Sequence, residues 1–144
     1  MGLHQMNSIS PQDMSILRHY FKTYRPKIIL VIIFGSHGTD DQKPESDLDF
    51  AILFQENIDL YQEMNLLAKL SDILQFENID LVNLNKAPVT LQFNALGGKI
   101  IYEHDHALTS DYMEKVFTIY GDYAPVISAF DQDFIHKEIT LNGL

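Results

Sequence analysis

The chain has 144 residues, 46% of them apolar, and its 20 acidic against 10 basic side chains give a net charge of −10. That length suits one domain with a proper core, and that apolar fraction excludes a disordered chain. The absence of cysteine excludes a disulfide framework and a Cys-ligated zinc site, and the acidic balance argues against direct nucleic-acid binding, which rests on Lys/Arg neutralising phosphate.

Ser10-Pro11 is a helix start, with Ser as N-cap and Pro at the first helical position. The helix is expected to run to about Tyr24, with Met14, Leu17, Tyr20 (or Phe21) and Tyr24 near one face, and to stop at Arg25-Pro26. Lys27 to Phe34 contains an uninterrupted apolar, β-branched run and reads as a buried strand. Residues 36–46, with Gly38, Asp40, Asp41 and Pro44, read as a short helical turn plus loop. A second strand covers Asp47 to Phe54.

From Asp59 to about Leu74, Leu60, Met64, Leu67, Leu70, Ile73 and Leu74 recur at helical spacing. Asn78 to Leu84 is a third strand with one acidic residue, Asp80, in an apolar stretch. Pro88 opens another helix, which Gly97-Gly98 closes. Lys99 to Glu103 is a short edge strand. A last helix begins near Ser110 and runs past Tyr120, with Pro125 expected to kink or break it. The sum is an α/β (α+β) fold, a small mixed β-sheet flanked by helices. No apolar run approaches the roughly 20 residues of a membrane span, and Met1 to Asn7 lack the pattern of a secretory signal. A soluble cytoplasmic protein is expected.

Chemistry concentrates between the first two strands, where Gly35-Ser36 is followed, after ten intervening residues, by Asp47-Leu48-Asp49. Side chains alternate along a strand, so Asp47 and Asp49 share one face while Leu48 and Phe50 fill the other. If the third strand lies beside the second, Asp80 faces this pair. A charge on such an apolar strand is costly unless paired or metal-bound. Like charges about 4 Å apart repel by roughly 4 kcal/mol at an effective dielectric near 20, so three carboxylates there raise their pKa values or recruit a divalent cation. Oxygen-only ligands favour magnesium or manganese over zinc. Gly35 lets the backbone approach a phosphate and Ser36 adds a hydroxyl donor, with helix-terminal amides beyond the turn adding positive potential. The chemistry implied is in-line transfer from a nucleotide phosphate to an acceptor hydroxyl, with two metals steadying the attacking and leaving oxygens and Asp80 taking the hydroxyl's proton.

Gly35-Ser36-x10-Asp47-x-Asp49, with Asp80 downstream, resembles the signature of the DNA polymerase β-type nucleotidyltransferases. A chain this short is most similar to their minimal nucleotidyltransferase (MNT) group, in particular the MntA-type antitoxins paired with HEPN ribonuclease toxins. The resemblance covers about Ile28 to Leu84. It implies the nucleotidyltransferase fold in a single domain, residues 1–144, with a catalytic core at about 27–103 and a C-terminal helical segment at about 107–135. It also implies ATP as substrate with Mg2+ (two ions), Asp47, Asp49 and Asp80 as catalytic and metal-binding residues, and Gly35 and Ser36 at the nucleotide. The expected partner is a HEPN toxin, silenced by transfer of AMP to one of its tyrosines. Two alternatives stay open, a non-catalytic antitoxin that acts by binding and an enzyme acting on a small-molecule hydroxyl. After Gly-Ser this chain reads His37-Gly38-Thr39 where the family usually has an Arg or aromatic residue first, and Lys43 is the only basic side chain in the loop.

Other candidates have simpler readings. His104-Asp105-His106 follows an edge strand and reads as an exposed turn. His4, His19 and His136 show no ligand spacing. Tyr112, Val116, Ile119 and Tyr123 read as core packing, with Met113, Phe117, Tyr120 and Ala124 as a second apolar line on the same helix that something else must cover.

Overall fold

The computed structural model describes residues 9–34 and 48–128, with side chains described as far as Gly121. Helix α1 (Pro11–Thr23) begins where Ser10 Oγ accepts the Asp13 N–H at 3.0 Å. It turns Leu17 and Phe21, rather than Tyr20, fully inward. Strand β1 (Ile28–Phe34) follows, then β2 (Leu48–Phe54) and helix α2 (Leu60–Leu74). Asp59 and Gln62 close a reciprocal capping box at the start of α2, each side chain accepting the other's backbone N–H at 2.8 and 3.0 Å. Strand β3 (Ile79–Asn83), helix α3 (Val89–Ala95), strand β4 (Lys99–Glu103) and helix α4 (His106–Ser128) complete the described elements.

The strands form one mixed sheet in the order β3-β2-β1-β4, with β1 antiparallel to both β2 and β4 and β2 parallel to β3. Central β1 and β2 are buried on both faces, which is why they read as nearly continuous apolar runs. Helices α1 and α2 pack with one face, where Phe21, Phe50, Leu66 and Leu70 meet Val31, Ile52 and Ile79. Leu30, Ile32, Phe34 and Ala51 turn to the other face and pack with Leu84, Ala95, Leu96 and Tyr112. A register shift between Ile28 and Leu30 lets Ile28 and Val31 serve the first face while Leu30 serves the second.

Two expectations need correction. Leu60 and Met64 do not join the buried face of α2; they are 66% and 60% exposed. At about 100° per residue Met64 lies roughly 200° around the helix from the buried Leu66, so the inward row is Leu66 and Leu70 with Ile73 and Leu74 beside it. The last helix starts at His106 rather than near Ser110, because Asp105 caps it by accepting the Ala107 N–H on Oδ1 at 2.9 Å. It then continues through Pro125 to Ser128. The loop at 36–46 and the chain beyond Ser128 lie outside the described residues.

Candidate active site

Three strands deliver adjacent residues to one row across the sheet. Phe34, the last residue of β1, pairs with Asp49 on β2, and Asp49 pairs with Asp80 on β3. Neighbouring strands lie about 4.8 Å apart and residues in register point to the same face. The two carboxylates therefore stand side by side. Their neighbours Leu48, Phe50, Ile79 and Leu81 turn the opposite way into the core beneath α1 and α2. Alternation along β2 and β3 thus separates chemistry from packing residue by residue.

The pair is unequal in exposure. Asp49 is 1% exposed, held between Phe34 and Asp80, whereas Asp80 is exposed. The burial cost expected of Asp80 thus falls on Asp49 instead, because β3 is an edge strand. Asp80 Oδ1 accepts the N–H of Leu81 at 3.0 Å, which ties one oxygen to the strand. Two neighbouring carboxylates offering only oxygen are a donor set that suits magnesium or manganese. Asp47, Gly35 and Ser36 lie outside the described residues, and among the described residues no three His, Asp or Glu side chains gather to hold a metal.

The histidine-rich turn has other occupations. His104 Nε2 lies 3.4 Å from Lys27 Nζ, Asp105 caps α4, and His106 Nδ1 lies 3.3 Å from Glu103 Oε2. On α4, Val116 and Tyr120 are buried, and Phe93 of α3 stacks on Tyr120 at 3.9 Å and meets Phe117 edge-on at 5.8 Å. In the second apolar line Tyr120 is thereby covered from within the chain, whereas Phe117 remains 49% exposed. Tyr123 and Ala124 lie beyond the described side chains.

A cavity of about 310 Å³ opens away from the aspartates, lined in part by Leu53, Leu84, Gln92, Tyr112 and Lys115. Leu53 and Leu84 each stand four residues beyond Asp49 and Asp80, about 13 Å along the strands, so this cavity is not part of the carboxylate site. Tyr112 Oη donates to Gln92 Oε1 at 2.7 Å across it, and burial pushes the Tyr112 hydroxyl well above the ordinary tyrosine range. Sequence periodicity carried no signal for this cavity, since its walls come from β2, the turn after β3, α3 and α4 together.

The family model described as Polymerase beta, Nucleotidyltransferase matches residues 16–107. The chain is 34% identical over 88 residues to a protein adenylyltransferase MntA of Aphanizomenon flos-aquae, a match covering 54% of this chain and 59% of that protein. It is 35% identical over 66 residues to a protein adenylyltransferase MntA of Shewanella oneidensis, covering 46% and 47%. The matches thus span about half the length of these curated relatives. Among solved structures, a chain of the toxin–antitoxin MntA-HepT crystal structure superposes with a TM-score of 0.66 at 21% identity, covering 90% of this chain and 99% of that one. A chain from the structure of a tri-AMPylated Shewanella oneidensis HEPN toxin in complex with MNT antitoxin gives 0.65 at 21% identity, covering 89% and 97%. The four described strands and their flanking helices are therefore the nucleotidyltransferase fold. No helix among the described residues is long and apolar enough to cross a membrane.

Proposed function

We propose, for a chain that belongs to the polymerase β nucleotidyltransferase family, that it is an antitoxin acting by protein adenylylation. It transfers AMP from ATP to a tyrosine hydroxyl of a cognate HEPN ribonuclease toxin in the cytoplasm, and the toxin is thereby neutralised. The observation that carries this reading is the in-register pairing of Asp49 with Asp80 beside Phe34, the residue that precedes Gly35-Ser36. Similarity to two protein adenylyltransferases supports the choice of AMP and of a protein acceptor. The net charge of −10 supports a basic partner that handles RNA. The whole of 1–144 acts as one domain, its core at about 27–103.

Asp47, Asp49 and Asp80 would hold Mg2+, two ions in the full site. When bound, the metal screens phosphate charge and lowers the pKa of the acceptor hydroxyl. The protein's own residues do the rest. Gly35 and Ser36 seat the phosphates through backbone amides and a hydroxyl. Asp49, buried and fixed within the sheet, positions the donor side of the site. Asp80, exposed on the edge strand and therefore open to a docking protein, accepts the tyrosine proton as the tyrosine oxygen bonds to the α-phosphorus and pyrophosphate departs.

The test is neutralisation of the toxin's ribonuclease activity at sub-stoichiometric amounts of this protein with ATP and magnesium. Catalysis predicts complete loss of ribonuclease activity that requires ATP. Neutralisation that needs one protein per toxin and proceeds equally without ATP would establish occlusion in its place.

A further inference from the structure

We infer that Gly98 is a positioning residue for the proposed transfer, a role that rests on the adenylyl-transfer reading. Gly98 ends the turn between α3 and β4 and lies against the last residues of β1. A Cβ there would meet the Ile33 carbonyl oxygen well inside contact distance, Phe34 Cβ at 2.7 Å and Ile32 Cγ2 at 2.9 Å. The first two belong to the backbone or are fixed directly to it, so no side-chain rotation relieves them. Something in the strand pair must move.

The end of β1 is paired on one side only. The last β1–β4 pair joins Ile33 to Lys99, so Phe34 lies beyond β4 and is paired on its other side with Asp49. β4 itself is anchored, with Arg18 Nε donating to the Ile101 carbonyl at 2.9 Å and the His104 N–H to the Ile29 carbonyl at 2.9 Å. A methyl group at 98 therefore pushes on Phe34, which carries Asp49 on one side and continues into Gly35-Ser36 on the other. Glycine at 98 lets the turn settle close enough for this strand end to keep the carboxylate row in register. Its neighbour Gly97 has no such role, since a Cβ there would meet only the Asn94 carbonyl oxygen at an ordinary 3.5 Å.

The experiment compares Gly98→Ala with Gly97→Ala and wild type at 10 °C, with the toxin as acceptor. Expected for Gly98→Ala are a kcat at least tenfold lower with the KM for ATP changed less than threefold, weaker Mn2+ binding, and displaced amide resonances at Phe34, Asp49 and Asp80. Gly97→Ala should match wild type in all of these. A Gly98→Ala protein within twofold of wild type in kcat and Mn2+ affinity would overturn the inference. If wild type transfers no adenylyl group, the functional reading fails separately, and the amide displacements alone decide whether Gly98 holds the strand end. If Gly98→Ala folds only with trimethylamine N-oxide present, which strengthens burial, it is compared there with wild type and Gly97→Ala on the same readouts, and failure to fold even there would overturn a role confined to the strand end.

Discussion

Asp49 and Asp80 are register partners on parallel strands, yet the first is buried and the second is open to solvent. The sheet order explains the asymmetry, because β2 is central and β3 is an edge. One carboxylate is thereby enclosed by its neighbours and the other is open to solvent at the sheet's edge.

This division predicts different outcomes for the two amide substitutions. Asp80→Asn should lower adenylyl transfer by about 10²–10⁴-fold, as loss of a general base does. Its thermal midpoint should scarcely move, because the residue is exposed. Asp49→Asn should abolish Mn2+ binding as well as transfer. Water-proton relaxation with Mn2+ and a melting curve on each variant check both statements.

Much of this arrangement was legible in the residues. The run Ile28 to Phe34 announced a strand buried on both faces, and alternation around Asp49 announced which face carried chemistry. The pairing of Asp49 with Asp80 could be stated only conditionally, because strand order is a tertiary fact. For the same reason the sequence does not reveal that Asp80 is exposed: an apolar strand looks alike at a sheet's edge and at its centre. The contact at Gly98 was hidden because helix-closing glycines are ordinary, and only the approach of β1 distinguishes Gly98 from Gly97. Asp47, Gly35 and Ser36 remain expectations drawn from the motif.

The core beneath α1 depends on Phe21, whose ring lies 6.5 Å from that of Phe50 and 6.0 Å from that of Tyr102. Phe21→Ala should cost about 3–5 kcal/mol. Urea unfolding monitored by circular dichroism measures it, with a lower midpoint and an unchanged slope as the expected signature.

Leu60 and Met64 are apolar but turned outward. Leu60→Ser and Met64→Gln should each change stability by less than about 0.5 kcal/mol, whereas Leu70→Ala, at a fully buried position of the same helix, should cost about 2–5 kcal/mol. Parallel denaturation curves separate the inward and outward rows of α2.

Burial raises the Tyr112 hydroxyl above its ordinary value of 10.0, and Tyr20, Tyr24 and Tyr102 shift the same way, also chiefly by burial. A group whose folded pKa is raised contributes stability that is intact below the unfolded value and lost as pH climbs towards the folded one. Stability should therefore hold to about pH 10 and decline above it as the unfolded chain ionises first. Tyr112→Phe should flatten that decline while costing about 1–3 kcal/mol at neutral pH, because Gln92 Oε1 loses its donor. Melting temperatures from pH 8 to 11 test the slope.

The most direct test of the account is the intact mass of a cognate HEPN toxin after incubation with this protein, ATP and magnesium. A gain of whole AMP units on a tyrosine, absent with Asp49→Asn and with Asp80→Asn, is the predicted result. An unmodified toxin that is nonetheless silenced, or modification undiminished in either variant, would contradict it.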